Sequence, residues 1–78
     1  MCSLYAFLEL PLIEQLRLIR QQGTFLATRS EQRDTINLYS VDLFFVEVYC
    51  GPAIYRVRPF VSTRELAVYL PAIDLKLA

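Results

Sequence analysis

The sequence predicts an α+β domain: two N-terminal helices and one C-terminal helix packed on a four-stranded antiparallel meander, or a three-stranded one if residues 35–50 form one continuous strand. Three observations carry this. Apolar residues recur at helical spacing between Pro11 and Gly23 and then give way, from Thr24, to β-branched and aromatic runs broken by polar turns. The stretch 43–55, LFFVEVYCGPAIY, is the signature of a strand entering a tight turn at Gly51-Pro52. Finally, 61–66 reads VSTREL, the spacing of a helix start.

Ser3 is placed to cap a short first helix running through Leu10, and Pro11 to open a second one. In that second helix Leu12, Ile13, Leu16 and Ile19 mark the apolar side, and Glu14, Arg17, Arg20 and Gln21 the solvated one, with Glu14 a local partner for the arginines. Gly23 offers a left-handed residue to close it. TFLATRS reads as the first strand, EQRD at 31–34 as a polar turn, and TINLYS as the second strand. Ile36, Leu38, Phe44, Val46 and Val48 are apolar and of one parity. A three-residue loop at 41–43 keeps that set together by pairing Leu38 with Val46 and Ile36 with Val48; it is preferred to a sixteen-residue strand, well above the roughly 5–6 residues of a typical one.

For the hairpin at 43–55, a two-residue loop with Gly51 at positive φ sets Val48 opposite Tyr55, Val46 opposite Val57, Glu47 opposite Arg56 and Phe45 opposite Arg58. The charge pair across the ladder favours that register by roughly 0.2–1 kcal/mol. A three-residue loop would place guanidinium groups on the apolar side. In the last helix Ser62 and Glu65 have capping-box spacing and Val61 and Leu66 that of a hydrophobic staple. Leu66, Tyr69, Leu70 and Ile73 line one side, and Pro71 limits or kinks the end.

Composition bounds the function. The 78 residues form one domain over 1–78, and a chain of this length buries only about 60–65% of its unfolded surface. Yet 55% of the residues are hydrophobic, against a typical ~45–50%, so more apolar surface exists than one small core easily hides. Eight basic residues balance eight acidic ones, so no global field steers the chain to nucleic acid or an anionic membrane. Cys2 and Cys50 are too few for a disulfide scaffold, which points to a reduced, cytoplasmic setting with Cys50 as a small core residue. The N-terminus lacks the basic start of a signal peptide, and no apolar run approaches membrane length.

No motif commits to a chemistry. The chain has no histidine, phosphate loop, nucleophile elbow or C-x-x-C, and Asp42, Glu47, Glu65 and Asp74 are scattered over different elements. The expectation is a non-enzymatic protein with no cofactor, metal or small-molecule ligand. The surface of interest is one face of the sheet. With Phe44, Val46, Val48, Tyr55 and Val57 turned to the helices, the opposite face presents Tyr39, Phe45, Tyr49, Ile54 and Phe60, with Asn37, Glu47, Arg56 and Arg58 among them. Tyr and Arg are enriched in binding hot spots. The leading expectation is therefore an interaction surface built from Tyr39, Phe45, Glu47, Tyr49, Ile54, Arg56, Arg58 and Phe60, used for homodimerisation or another protein. Single-stranded nucleic acid stacking there is the alternative, opposed by the zero net charge, the single lysine and the central Glu47. A second alternative is that a helix covers the face as ordinary core.

Overall fold

In a computed structural model that describes residues 3–69, the chain forms an α+β fold around a four-stranded antiparallel sheet in the order β1-β2-β3-β4. The elements are α1 (Leu4–Leu8), α2 (Leu12–Gln22), β1 (Thr24–Glu31), β2 (Asp34–Val41), β3 (Phe44–Cys50), β4 (Ile54–Phe60) and a 3-10 helix (Thr63–Tyr69). Residues 35–50 are thus two strands. Cys2, Leu70, Pro71, Ile73 and Asp74 lie outside the described residues.

Ser3 caps α1: its Oγ accepts the Ala6 N–H at 3.1 Å. The helix stops at Leu8 rather than Leu10, because a residue preceding proline is driven out of the helical region. Gly23 closes α2 without the expected left-handed turn; its φ is −80° and the chain runs straight into β1. Its missing side chain is needed for another reason, since a Cβ there would lie 2.5 Å from the Ile19 carbonyl oxygen.

Both hairpins that involve β3 differ in register from the sequence expectation. β2 and β3 are joined by the two-residue turn Asp42-Leu43, with Asp42 at φ 53°. Aspartate tolerates this left-handed conformation, so the loop can be one residue shorter than expected. The consequence is a change of parity. Leu38 lies opposite Glu47, Ile36 opposite Tyr49, and Tyr39 opposite Val46. Ile36 and Leu38 therefore share a face with Glu47, while Tyr39 and Asn37 move to the side of Val46 and Val48.

The β3–β4 loop spans three residues, 51–53, and a bulge between Tyr49 and Cys50 follows it into the ladder. Glu47 pairs with Arg58 rather than Arg56, Val48 with Val57, and Phe45 with Phe60. Gly51 has no positive φ; its N–H donates to the Ala53 carbonyl at 3.1 Å, a tight contact inside the loop. Because the pairing slides by two residues, Val46, Val48 and Val57 still share a face, as do Glu47, Arg56 and Arg58. The bulge breaks the alternation beyond it, so Tyr55 does not turn to the helices but sets its ring 6.2 Å from that of Tyr49 and hydrogen-bonds Asp34.

The sheet is covered on both sides. Phe7 of α1 and Ile19 of α2 pack with Val41, Phe44, Val46 and Val48 on one face, the Phe7 and Phe44 rings 5.3 Å apart. Cys50 and Tyr39 are half-buried against this cluster. On the other face, Leu66 and Tyr69 of the 3-10 helix pack with Ala27, Leu38 and Phe60. The 3-10 geometry, in place of the expected α-helix, aligns residues three apart, which puts both Leu66 and Tyr69 on the sheet side. The capping box forms only in part: Ser62 Oγ accepts the Arg64 N–H at 3.3 Å, while Glu65 reaches across to Arg58.

Candidate functional site

The face expected to be an aromatic and arginine surface is organised around a buried carboxylate. Glu47 is 1% exposed in the middle of β3, and an isolated buried charge is too costly to persist without partners. Its partners come from three other elements. The Tyr69 hydroxyl donates to Oε2 at 2.6 Å, Arg58 Nε to Oε1 at 2.9 Å, and Arg29 Nη2 to Oε2 at 3.2 Å. The Tyr49 hydroxyl stands farther off, 3.4 Å from Oε1. Each guanidinium is also tied outward, Arg58 to Glu65 at 2.6 Å and Arg29 to Glu31 at 2.9 Å. Arg29 lies over the Tyr69 ring at 5.5 Å. Its Nε is buried without a hydrogen-bond partner among the described residues.

This network sets the protonation states. Burial pushes the Glu47 carboxyl up, but donation from Tyr69, Arg58 and Arg29 outweighs it and holds the group below its ordinary value near 4.5. Burial, reinforced by donation to Glu47, holds the Tyr69 proton more firmly than in a free tyrosine. Burial lowers the pKa of Arg29 and Arg58, and the surrounding acids more than compensate, so both stay charged. With both carboxylate oxygens engaged and water excluded, Glu47 acts as an acceptor that fixes where the 3-10 helix docks. No group of three metal-ligating side chains occurs among the described residues.

Six of the eight expected surface residues meet on this face, and they are not all exposed. Glu47, Tyr49 and Phe60 are buried, and Phe45 is half-buried with its ring stacked on Phe60 at 5.5 Å. Arg58 is held by two acids, and Arg56 lies exposed over the Tyr49 ring at 4.9 Å. The other two are elsewhere. Tyr39 was carried to the helix side by the β2–β3 parity and meets Phe25 edge-on at 5.7 Å. Ile54 was carried there by the bulge and lines a cavity with Leu16, Ile19 and Val48. The partners Arg29, Glu65 and Tyr69 were not singled out for this face. The signal for them was Glu47 itself, since an acid within an apolar strand requires cations on the neighbouring strands.

One group of exposed apolar side chains lies where α1 meets the β2–β3 turn. A groove of about 410 Å³ is lined there by Leu4, Tyr5, Ala6, Leu43, Phe44 and Val61, with Ser3 and Asp42 also on its wall. Leu43 is 85% exposed, Tyr5 79% and Val61 57%. Among known proteins, no family model, curated protein or solved structure matches the chain.

Proposed function

We propose that this chain is a small non-enzymatic interaction module that associates with a second copy of itself. The observation that carries the proposal is the apolar groove beside α1 with the nearly bare Leu43 projecting at its edge. Exposed apolar side chains gathered around one groove are a place where a partner can gain by covering them. A second copy is the occupant best suited to it. Knob and groove lie on one patch, so a two-fold axis would let the Leu43 of each copy enter the groove of the other, and the patch offers little charge with which to recognise a charged partner. A standard contact hides about 800 Å² per partner, roughly a seventh of the 5536 Å² surface. Val61 adjoins Phe60, whose ring stacks on Phe45, so the patch borders the aromatic face without depending on the part sealed by the 3-10 helix. Nucleic acid has less support, because Tyr49 is buried and Arg58 is engaged by Glu47 and Glu65.

The test is light scattering at tens of micromolar. The wild-type chain is expected to be a dimer, Leu43→Asp a folded monomer by circular dichroism, and Arg56→Glu still a dimer. A monomeric wild type overturns the proposal; a dimer that survives Leu43→Asp but is split by Phe45→Glu moves the contact to the aromatic face.

A further inference from the structure

A second cavity, of about 450 Å³, lies between the later part of α2 and the sheet. Its volume is within the roughly 300–1,000 Å³ of small-molecule sites. Buried Ile19 and Val48 contribute to its lining, as does half-buried Leu16, and Phe25 and Ile54 add large apolar side chains that are still 54% and 43% exposed. Two residues with polar groups, Arg20 and Tyr39, are among those that line it. Among the described residues neither makes a hydrogen bond or ion pair, although Arg17, one turn earlier on α2, is paired with Glu14 at 2.8 Å. Each flank of the cavity coincides with a break in strand register: the shift between Phe25 and Ala27 in β1, and the one between Tyr49 and Cys50 ahead of Ile54. Bulges re-aim side chains, and here they bring Phe25 and Ile54 to the same cavity. A smaller recess formed by Ile13, Leu16, Arg17 and Arg20 shares Leu16 and Arg20 with it.

We infer that this cavity binds an amphipathic carboxylate, with an unbranched acyl chain lying on the apolar lining, its head group paired with Arg20 and accepting a hydrogen bond from Tyr39. The balance of the lining selects this class. Among the described residues eight contribute, and of these Arg20 alone is charged, so a single negative charge on an otherwise apolar molecule is matched. A phosphate would require further donors, and a cation would face Arg20. Guanidinium fits carboxylate in the bidentate geometry that makes such pairs strong.

The inference goes beyond self-association and concerns a different surface, so both wild type and Leu43→Asp should bind alike. Decanoate below its micellar range is titrated by calorimetry and by NMR of the Ile19, Val48 and Ile54 methyl groups, with decylamine as the cationic probe of equal chain length. Saturable decanoate binding, methyl shifts at these three residues and no binding of decylamine are expected. Arg20→Gln should weaken decanoate about tenfold, the effect of a charge-assisted hydrogen bond, and Tyr39→Phe a few-fold. Arg20 is exposed on the helix surface, so the variant should fold normally. Failure to saturate, equal binding of decylamine, unchanged affinity in Arg20→Gln, or shifts confined to the α1 groove would each overturn the inference.

Discussion

The two faces of the sheet are closed by different chemistry. Beneath α1 and α2 the buried core of the contact is apolar: Phe7 and Ile19 against Val41, Phe44, Val46 and Val48. Beneath the 3-10 helix, Leu66 and Tyr69 also bury apolar surface, but the contact includes a carboxylate held by Tyr69, Arg58 and Arg29. Apolar packing accepts many arrangements of similar volume. A buried carboxylate accepts few, because each donor must arrive at hydrogen-bond distance, so the Glu47 side specifies how a seven-residue 3-10 helix sits. Polar fixation of this kind adds little net stability over an apolar replacement, yet it is costly to disrupt from one side only.

Neighbouring residues on the same strand put this contrast to its strongest test. Val46 and Glu47 are both fully enclosed, on opposite faces. Glu47→Ala leaves two guanidinium groups without their shared acceptor and should cost about 3–5 kcal/mol in denaturant unfolding. Val46→Ala removes two methyl groups from an apolar contact and should cost about 2 kcal/mol. Equal losses would mean that Glu47 is not enclosed as described.

The second way to sharpen the contrast is pH. The Glu47 carboxyl is held below its ordinary value, so its contribution to stability is complete above about 4.5 and disappears as the pH falls through the lower folded value. The Tyr69 hydroxyl is held above its ordinary value near 10, so its contribution is complete below that pH and is lost as the pH rises through the raised folded value. Comparing stability against pH for wild type, Glu47→Gln and Val46→Ala, the acid loss should be shallower in Glu47→Gln and unchanged in Val46→Ala. Parallel acid slopes in wild type and Glu47→Gln would count against the network.

The same contrast explains what could be read from the residues. Strand content, the two early helices and the side taken by Val46, Val48 and Val57 were legible, because alternation survives a register slide of two. The β2–β3 parity was not. Ile36 and Leu38 look equivalent to Val46 and Val48 in an apolar pattern, but with both faces covered they belong to the opposite side, and the alternation rule discriminates only when one face is wet. Asp42 at positive φ, which settles the matter, lacks the Asn-Gly or Asp-Gly signature of a tight hairpin. Tyr39 and Ile54 were misplaced for these local reasons, a turn one residue shorter and a bulge. Glu47 was expected opposite Arg56 on a face left open, because Arg29 and Tyr69, which help to enclose it, are distant in sequence.

The smallest expected effect is at the entrance to the 3-10 helix. Ser62 Oγ accepts the Arg64 N–H, but the bond is exposed and 3.3 Å long, and Glu65 bonds Arg58 instead of completing a box. Ser62→Ala should therefore cost only about 0.5–1 kcal/mol, the lower part of the range for cap removal. The cap and the Glu47 network both hold the same segment against the same face, so their effects should not add. Once Glu47→Ala has loosened the docking of Tyr69, loss of the cap has less ordered helix to unmake, and Ser62→Ala should cost less in that background than in wild type. Val46→Ala acts from the other side of the sheet and should leave the cost of Ser62→Ala unchanged. Double-mutant cycles in denaturant measure both couplings. A Ser62→Ala change within error would remove the cap, and equal coupling to Val46 and Glu47 would show that the two faces respond as one unit.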